Sequence, residues 1–147
     1  MGARMTTILL IENDEGDVFL FRRALSRLNY AGGVRVVASV SEARAYLEGT
    51  TPFADRDYYP LPDLIVSDMS LPGQTGIDFL EWLREDARFA EIPFVFLSGS
   101  FQPHHKVRST ELGAGAFYTK SGDIEKMIER VQSMLKFLEP DDGEKPG

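Results

Sequence analysis

The sequence predicts a doubly wound α/β domain: a five-stranded parallel sheet in the order 2-1-3-4-5, covered by helices on both faces. Three observations predict it. Short, nearly continuous apolar runs recur along the chain, as strands buried on both faces require. They alternate with segments of helical periodicity, the pattern of β–α–β crossovers. The third run ends in a carboxylate, Asp68, with a Pro72-Gly73 turn close behind. Such a strand delivers its last side chain to the carboxyl rim of an open sheet, where ligands of these folds bind.

The elements follow in order. Ile8-Leu9-Leu10-Ile11 is the first strand. A helix is expected over residues 16–28, with Val18, Phe21, Leu25 and Leu28 on one face. Gly32-Gly33 breaks the chain before a strand at residues 34–38. Ser39 and Glu42 have capping-box spacing and open a helix that runs to about Glu48. Residues 50–62 form a long polar, aromatic and proline-containing connection. Strand three is residues 64–68, and a helix at 76–85 turns Ile77, Leu80 and Leu83 inward. Strand four is residues 94–98, a helix is expected over 104–112 with Gly113 ending it, and strand five is 116–120. The last helix starts near Asp123 and carries a stripe of Ile124, Met127, Ile128, Val131, Leu135 and Leu138. One domain is expected over residues 7–138, followed by an acidic Pro/Gly-rich tail at 139–147 expected to be disordered.

Bulk properties narrow the function. At 147 residues the chain suits one domain. A formal charge of -7 with no Lys/Arg run argues against nucleic acid as a partner. No apolar run is long enough for a helix to span a bilayer, so no membrane association is expected. The absence of Cys excludes disulfides, thiolate metal sites and Cys nucleophiles, and suits a cytoplasmic location.

Parallel topology brings four loops to one rim. They begin at Glu12-Asn13-Asp14, Asp68, Ser98-Gly99 and Lys120. Carboxylates at the ends of adjacent strands one and three repel unless a cation intervenes. Hard oxygen ligands suit Mg²⁺, and Lys120 can reach across as a point charge. This chemistry fits phosphoryl transfer to Asp68 as nucleophile, giving an acyl phosphate, with Ser98 donating to an added oxygen and Gly99 leaving room for the donor. Ser98 and the aromatic Phe117 then form a candidate two-state switch. Ser70 and Ser100 flank the acceptor and are candidates for tuning its lifetime. Asp14 and Asp17 precede or open the first helix, where capping and first-turn roles compete with ligation. His104-His105 is an adjacent pair that cannot face one ion from a helix.

These residues resemble the receiver domains of two-component response regulators, over about residues 7–138. The carrying positions are Glu12-Asn13 after strand one, Asp68 after strand three, Ser98 after strand four, and Phe117 and Lys120 on and after strand five. The Leu-Pro-Gly-Gln-Thr-Gly run at 71–76 is similar to the family's turn after its phosphorylation site. The resemblance implies a flavodoxin-like receiver fold, phosphorylation of Asp68 by a sensor histidine kinase, and Mg²⁺ held by Glu12, Asn13, Asp68 and Ser70. It implies signalling through an unknown downstream protein or a homodimer rather than enzymatic turnover. The finer similarity is to stand-alone regulators associated with phytochrome-type kinases.

Two departures stand out. Asn13 replaces a carboxylate that usually ligates Mg²⁺, so weaker Mg²⁺ binding is expected, with Asp14 the candidate for compensation. Ser121 replaces a proline that usually follows the lysine, so a cis bond is not expected there. Asn13 also favours an alternative, a pseudo-receiver acting as a phosphorylation-independent binding module. A phosphohydrolase would need a second Asp two positions after Asp68, where Ser70 stands. A flavin carrier would need a first loop that welcomes phosphate, where Glu12 and Asp14 repel it.

Overall fold

A computed structural model describes residues 5–99 and 101–139. Five strands, β1 (Thr7–Ile11), β2 (Gly33–Val37), β3 (Leu64–Ser67), β4 (Phe94–Ser98) and β5 (Ala116–Thr119), form one sheet in the order β2-β1-β3-β4-β5. Every pairing is parallel. The helices between and after them are α1 (Glu15–Arg27), α2 (Val40–Glu48), α3 (Gly76–Glu85), α4 (Pro103–Glu111) and α5 (Ile124–Leu135). A 3-10 turn, Lys136–Leu138, follows α5 and takes Leu138 off the last helix.

The strands alternate between two cores. Leu9, Ile11, Ile65, Phe94 and Phe96 face α2 and α3, while Ile8, Leu10, Leu64, Val66, Val95 and Leu97 face α1 and α5. β1, β3 and β4 are buried throughout, which is why each reads as an unbroken apolar run.

Several ends differ from the sequence expectation by a residue or two. Asp68 and Lys120 lie just beyond β3 and β5, and Ala38 lies beyond β2, since the paired registers end at Ser67, Thr119 and Val37. α4 starts at Pro103, whose missing N–H costs nothing in a first helical turn, and Gly113 follows its end at φ +85°. Ser39 caps α2 by accepting the Glu42 N–H, but the Glu42 carboxylate turns to the Ala38 N–H rather than to Ser39, so the box closes one residue early. A complete capping box stands on α3 instead, where Thr75 and Asp78 exchange bonds.

Residues 50–62 pack an aromatic cluster against α2. The Tyr46, Phe53 and Tyr59 rings meet at 5.1–5.8 Å. Arg56 donates to the Tyr46, Leu47 and Phe53 carbonyls, closing the α2 C-terminus. Arg84 of α3 donates to four carbonyls, those of Ala90, Ile92, Leu112 and Gly113, and so ties the approach to β4 to the end of α4. Residues 1–4, Ser100 and 140–147, which include nearly all of the tail expected to be disordered, lie outside the described residues. No helix among the described residues is long and apolar enough to cross a membrane.

Candidate functional site

The sheet's hydrogen bonding runs on for one residue past the strands and fixes the site. Glu12 N–H donates to Val37 O at 2.9 Å, Asp68 N–H to Ile11 O at 3.0 Å, and Lys120 N–H to Ser98 O at 2.8 Å. Three site residues are therefore held by backbone bonds before their side chains do anything. Gly76 completes the support: a Cβ there would lie 2.5 Å from the Asp68 carbonyl and 2.7 Å from the Phe96 ring. Only glycine lets α3 start so close behind Asp68.

The side chains converge on one ammonium. Lys120 Nζ lies 2.8 Å from Glu12 Oε1, 2.7 Å from Asp17 Oδ2 and 2.9 Å from Asp68 Oδ2. The other Asp68 oxygen, Oδ1, accepts the Ser98 hydroxyl at 2.9 Å and, at 3.4 Å, the Ser70 N–H. Glu12 Oε2 accepts the Asp14 N–H at 3.0 Å. Burial alone would depress the Lys120 ammonium, but its hydrogen bonds to Asp17, Glu12 and Asp68 outweigh that and hold its pKa above the ordinary lysine value. Glu12 moves the other way for a carboxylate: burial raises its pKa, and its bonds to Lys120 and the Asp14 N–H only partly offset the rise.

Glu12, Asp68, Ser98 and Lys120 thus meet as the sequence predicted. Ser70 joins through its backbone N–H, with the residue itself exposed. Asn13 is exposed on the rim and, with Glu12, lines a cleft of about 290 Å³ against Glu15, Val18, Val36 and Ala38. Asp14 caps α1 by accepting the Asp17 N–H at 3.0 Å, the bland one of its two readings. Gly99 has open space where a side chain would be. Phe117 pairs with Phe96 in register, stacked at 5.8 Å, and meets Phe101 edge-on at 5.6 Å. The cis peptide bond among the described residues is Thr51–Pro52, so Lys120–Ser121 is trans.

Asp17 is the residue that sequence reasoning underrated, as first-turn helix chemistry. The signal was available: Asp17 begins the stripe that Phe21 and Ala24 continue into the core, so it lies on the sheet-facing side of α1, half-buried at the rim.

Chemically, the rim presents a nucleophilic carboxylate with a hydroxyl on one oxygen and an ammonium on the other. Among the described residues no three His, Asp or Glu side chains gather as a metal cluster of their own. Glu12, Asp17 and Asp68 each lie within 3 Å of the Lys120 ammonium, and the hard oxygens of Glu12 and Asp68, on adjacent strand ends, suit a divalent ion of the Mg²⁺ kind.

Residues 8–132 match the response regulator receiver domain family. The chain belongs to this family. Response regulator Rre1 of Synechocystis is 29% identical over 135 residues, covering 90% of this chain and 53% of that protein. The phosphate regulon regulator PhoB of Escherichia coli is 32% identical over 81 residues, covering 55% of this chain and 35% of that one. The chain thus spans about a third to a half of the length of these curated relatives. Among solved structures, the phosphorylated cyanobacterial phytochrome response regulator RcpA aligns with TM-score 0.82 at 28% identity, covering 92% of this chain and 94% of that one. The bacteriophytochrome response regulator RtBRR aligns with TM-score 0.78 at 28% identity, covering 93% and 80%. This receiver therefore shares its sheet order and helix arrangement with phytochrome-associated response regulators.

Proposed function

We propose that this receiver takes a phosphoryl group onto Asp68 from a sensor histidine kinase, of the phytochrome-associated kind, and thereby switches its contacts with a downstream protein or a second copy. One observation carries the reading: Asp68 sits at the sheet rim with Ser98 on Oδ1 and Lys120 on Oδ2. An Asp68 oxygen attacks phosphorus, the bond from phosphorus to the donor imidazole nitrogen breaks, and the ring nitrogen keeps the electron pair. The product is an acyl phosphate.

The resident cation on this reading is Mg²⁺, held by Glu12, Asn13, Asp68 and Ser70. When bound, it supplies positive charge against the donor's phosphoryl oxygens. A similar structure, that of Rcp1 (25% identical, TM-score 0.78), is of a Mn²⁺-bound form, which supports a divalent ion here. Lys120 contributes a fixed positive charge beside the same oxygens, and the Ser98 hydroxyl turns from Asp68 to the new phosphoryl group. That movement frees space along β4 for Phe117, whose stack on Phe96 and edge-on contact with Phe101 report it to the α4 side.

The functional unit on this reading is residues 7–138, working in the cytosol as a switch rather than a turnover enzyme, with neither nucleic acid nor membrane as its target. A phosphorylation-independent binding module would have no use for Asp68, Ser98 and Lys120 within bonding distance of one another. Incubation with acetyl phosphate and Mg²⁺ should add one phosphoryl mass, and Asp68→Asn should abolish it. No gain from acetyl phosphate or from a cognate kinase contradicts the proposal.

A further inference from the structure

We infer that Asp17 is a positioning residue for Lys120, a third anchor that draws the ammonium off Asp68 and keeps the acceptor carboxylate reactive. The inference rests on the phosphoryl-acceptor reading above and deepens it. Asp17 makes the shortest of the three contacts to Lys120, 2.7 Å, and it alone comes from a helix rather than a strand end. Its own backbone is fixed, because its N–H is bound by the Asp14 cap. Asn13, the neutral neighbour of Glu12, brings no charge to the rim. The Lys120 backbone is fixed by its N–H bond to Ser98 O, so the position of the ammonium is set by its three carboxylate contacts.

The arrangement has a chemical consequence. An ammonium shared among three carboxylates neutralises each only in part. Without Asp17 the same charge would fall on Glu12 and Asp68 alone. Asp68 Oδ2, the oxygen that Lys120 already touches, would be masked more fully and would attack phosphorus less readily. Asp17 does not touch the incoming group, so its loss should slow the step without weakening donor binding.

Lysine-labelled ¹⁵N NMR of the full chain reads the tether directly, because an ammonium held by three carboxylates exchanges its protons slowly enough to be seen. The Lys120 resonance should be visible in the wild type, lost in Asp17→Asn and kept in Asp17→Glu, with the backbone amide spectrum unchanged. Glu15→Gln removes the other first-turn acid without touching Lys120, and should leave the resonance intact. With acetyl phosphate as donor, the maximal phosphorylation rate of Asp17→Asn should fall roughly tenfold at nearly constant half-saturation, the size expected for a misplaced catalytic partner. Asp17→Glu should restore most of it. Persistence of the resonance in Asp17→Asn, its loss in Glu15→Gln, or a rate within about twofold of wild type overturns the inference. Should the wild type take no phosphate at all, the acceptor reading fails, and the ammonium resonance by itself decides whether Asp17 holds Lys120.

Discussion

Ser98 donates its hydroxyl to Asp68 Oδ1 at 2.9 Å, on the carboxylate oxygen opposite the one that Lys120 holds. Both residues are buried, so the donor has no ready replacement from solvent. Ser98→Ala should therefore lower resting stability by about 1.5–3 kcal/mol, as expected for a bond to a charged acceptor. Urea unfolding should show a lower midpoint with an unchanged slope. An unshifted midpoint would mean that the bond contributes nothing in the resting state.

Asn13 stands beside the buried Glu12 and adds no charge to a cleft whose charged lining residues are Glu12 and Glu15. Asn13→Asp should tighten Mg²⁺ binding roughly tenfold, since ligand charge sets affinity at oxygen sites. It should also lower the melting temperature in the presence of a chelator, because the new carboxylate meets Glu12 with no added cation. Calorimetric titration is the measurement to use, because Trp82, the single tryptophan, packs on Phe79 and Phe89 under Arg44 along α3. Equal affinity in the two proteins would contradict the role given to position 13.

Arg84 binds four carbonyls from one planar guanidinium, joining α3 to the segments that lead into β4 and out of α4. Arg84→Ala should cost about 2–3 kcal/mol by leaving these acceptors short of a donor. Arg84→Lys should recover little, because an ammonium cannot span four acceptors in a fork. Full recovery by lysine in a chemical denaturation series would show that charge alone, and not the fork, matters.

Tyr46 is fully buried and donates its hydroxyl to Pro60 O at 2.8 Å. Burial pushes its phenol from about 10 up to about 12. A raised folded-state pKa contributes stability that is complete below the unfolded value and is lost as pH climbs through the folded one. Between about pH 10 and 12 the wild type should lose about 2 kcal/mol more than Tyr46→Phe. Near neutrality Tyr46→Phe should cost only about 1 kcal/mol, the loss of one hydrogen bond. Parallel alkaline titrations of stability would argue that the phenol is not protected.

Much of this architecture was legible because the decisive strands are buried on both faces. β1, β3 and β4 have no polar alternation to confuse the pattern, and their carboxyl ends name the site. What escaped was set by contacts across the fold. Asp17 looked like first-turn helix chemistry until β5 brought Lys120 within 2.7 Å of it, across 103 positions of sequence. The α3 capping box escaped because its third position is Asp78, a shorter side chain than the Glu or Gln that mark such boxes. Of the two readings weighed for Asp14, capping is the one visible in the resting structure, its Oδ1 engaged by the Asp17 N–H.

The central claim is that Asp68 is the phosphoryl acceptor, and mapping the modified residue tests it most directly. Protein treated with acetyl phosphate and Mg²⁺ can be reduced with borohydride, which converts an aspartyl phosphate to homoserine, and then digested for peptide mass spectrometry. The account predicts homoserine at position 68 and at no other acidic residue. Homoserine at Asp14 or Asp17, phosphate on Ser98 or His104, or an unmodified chain would contradict it.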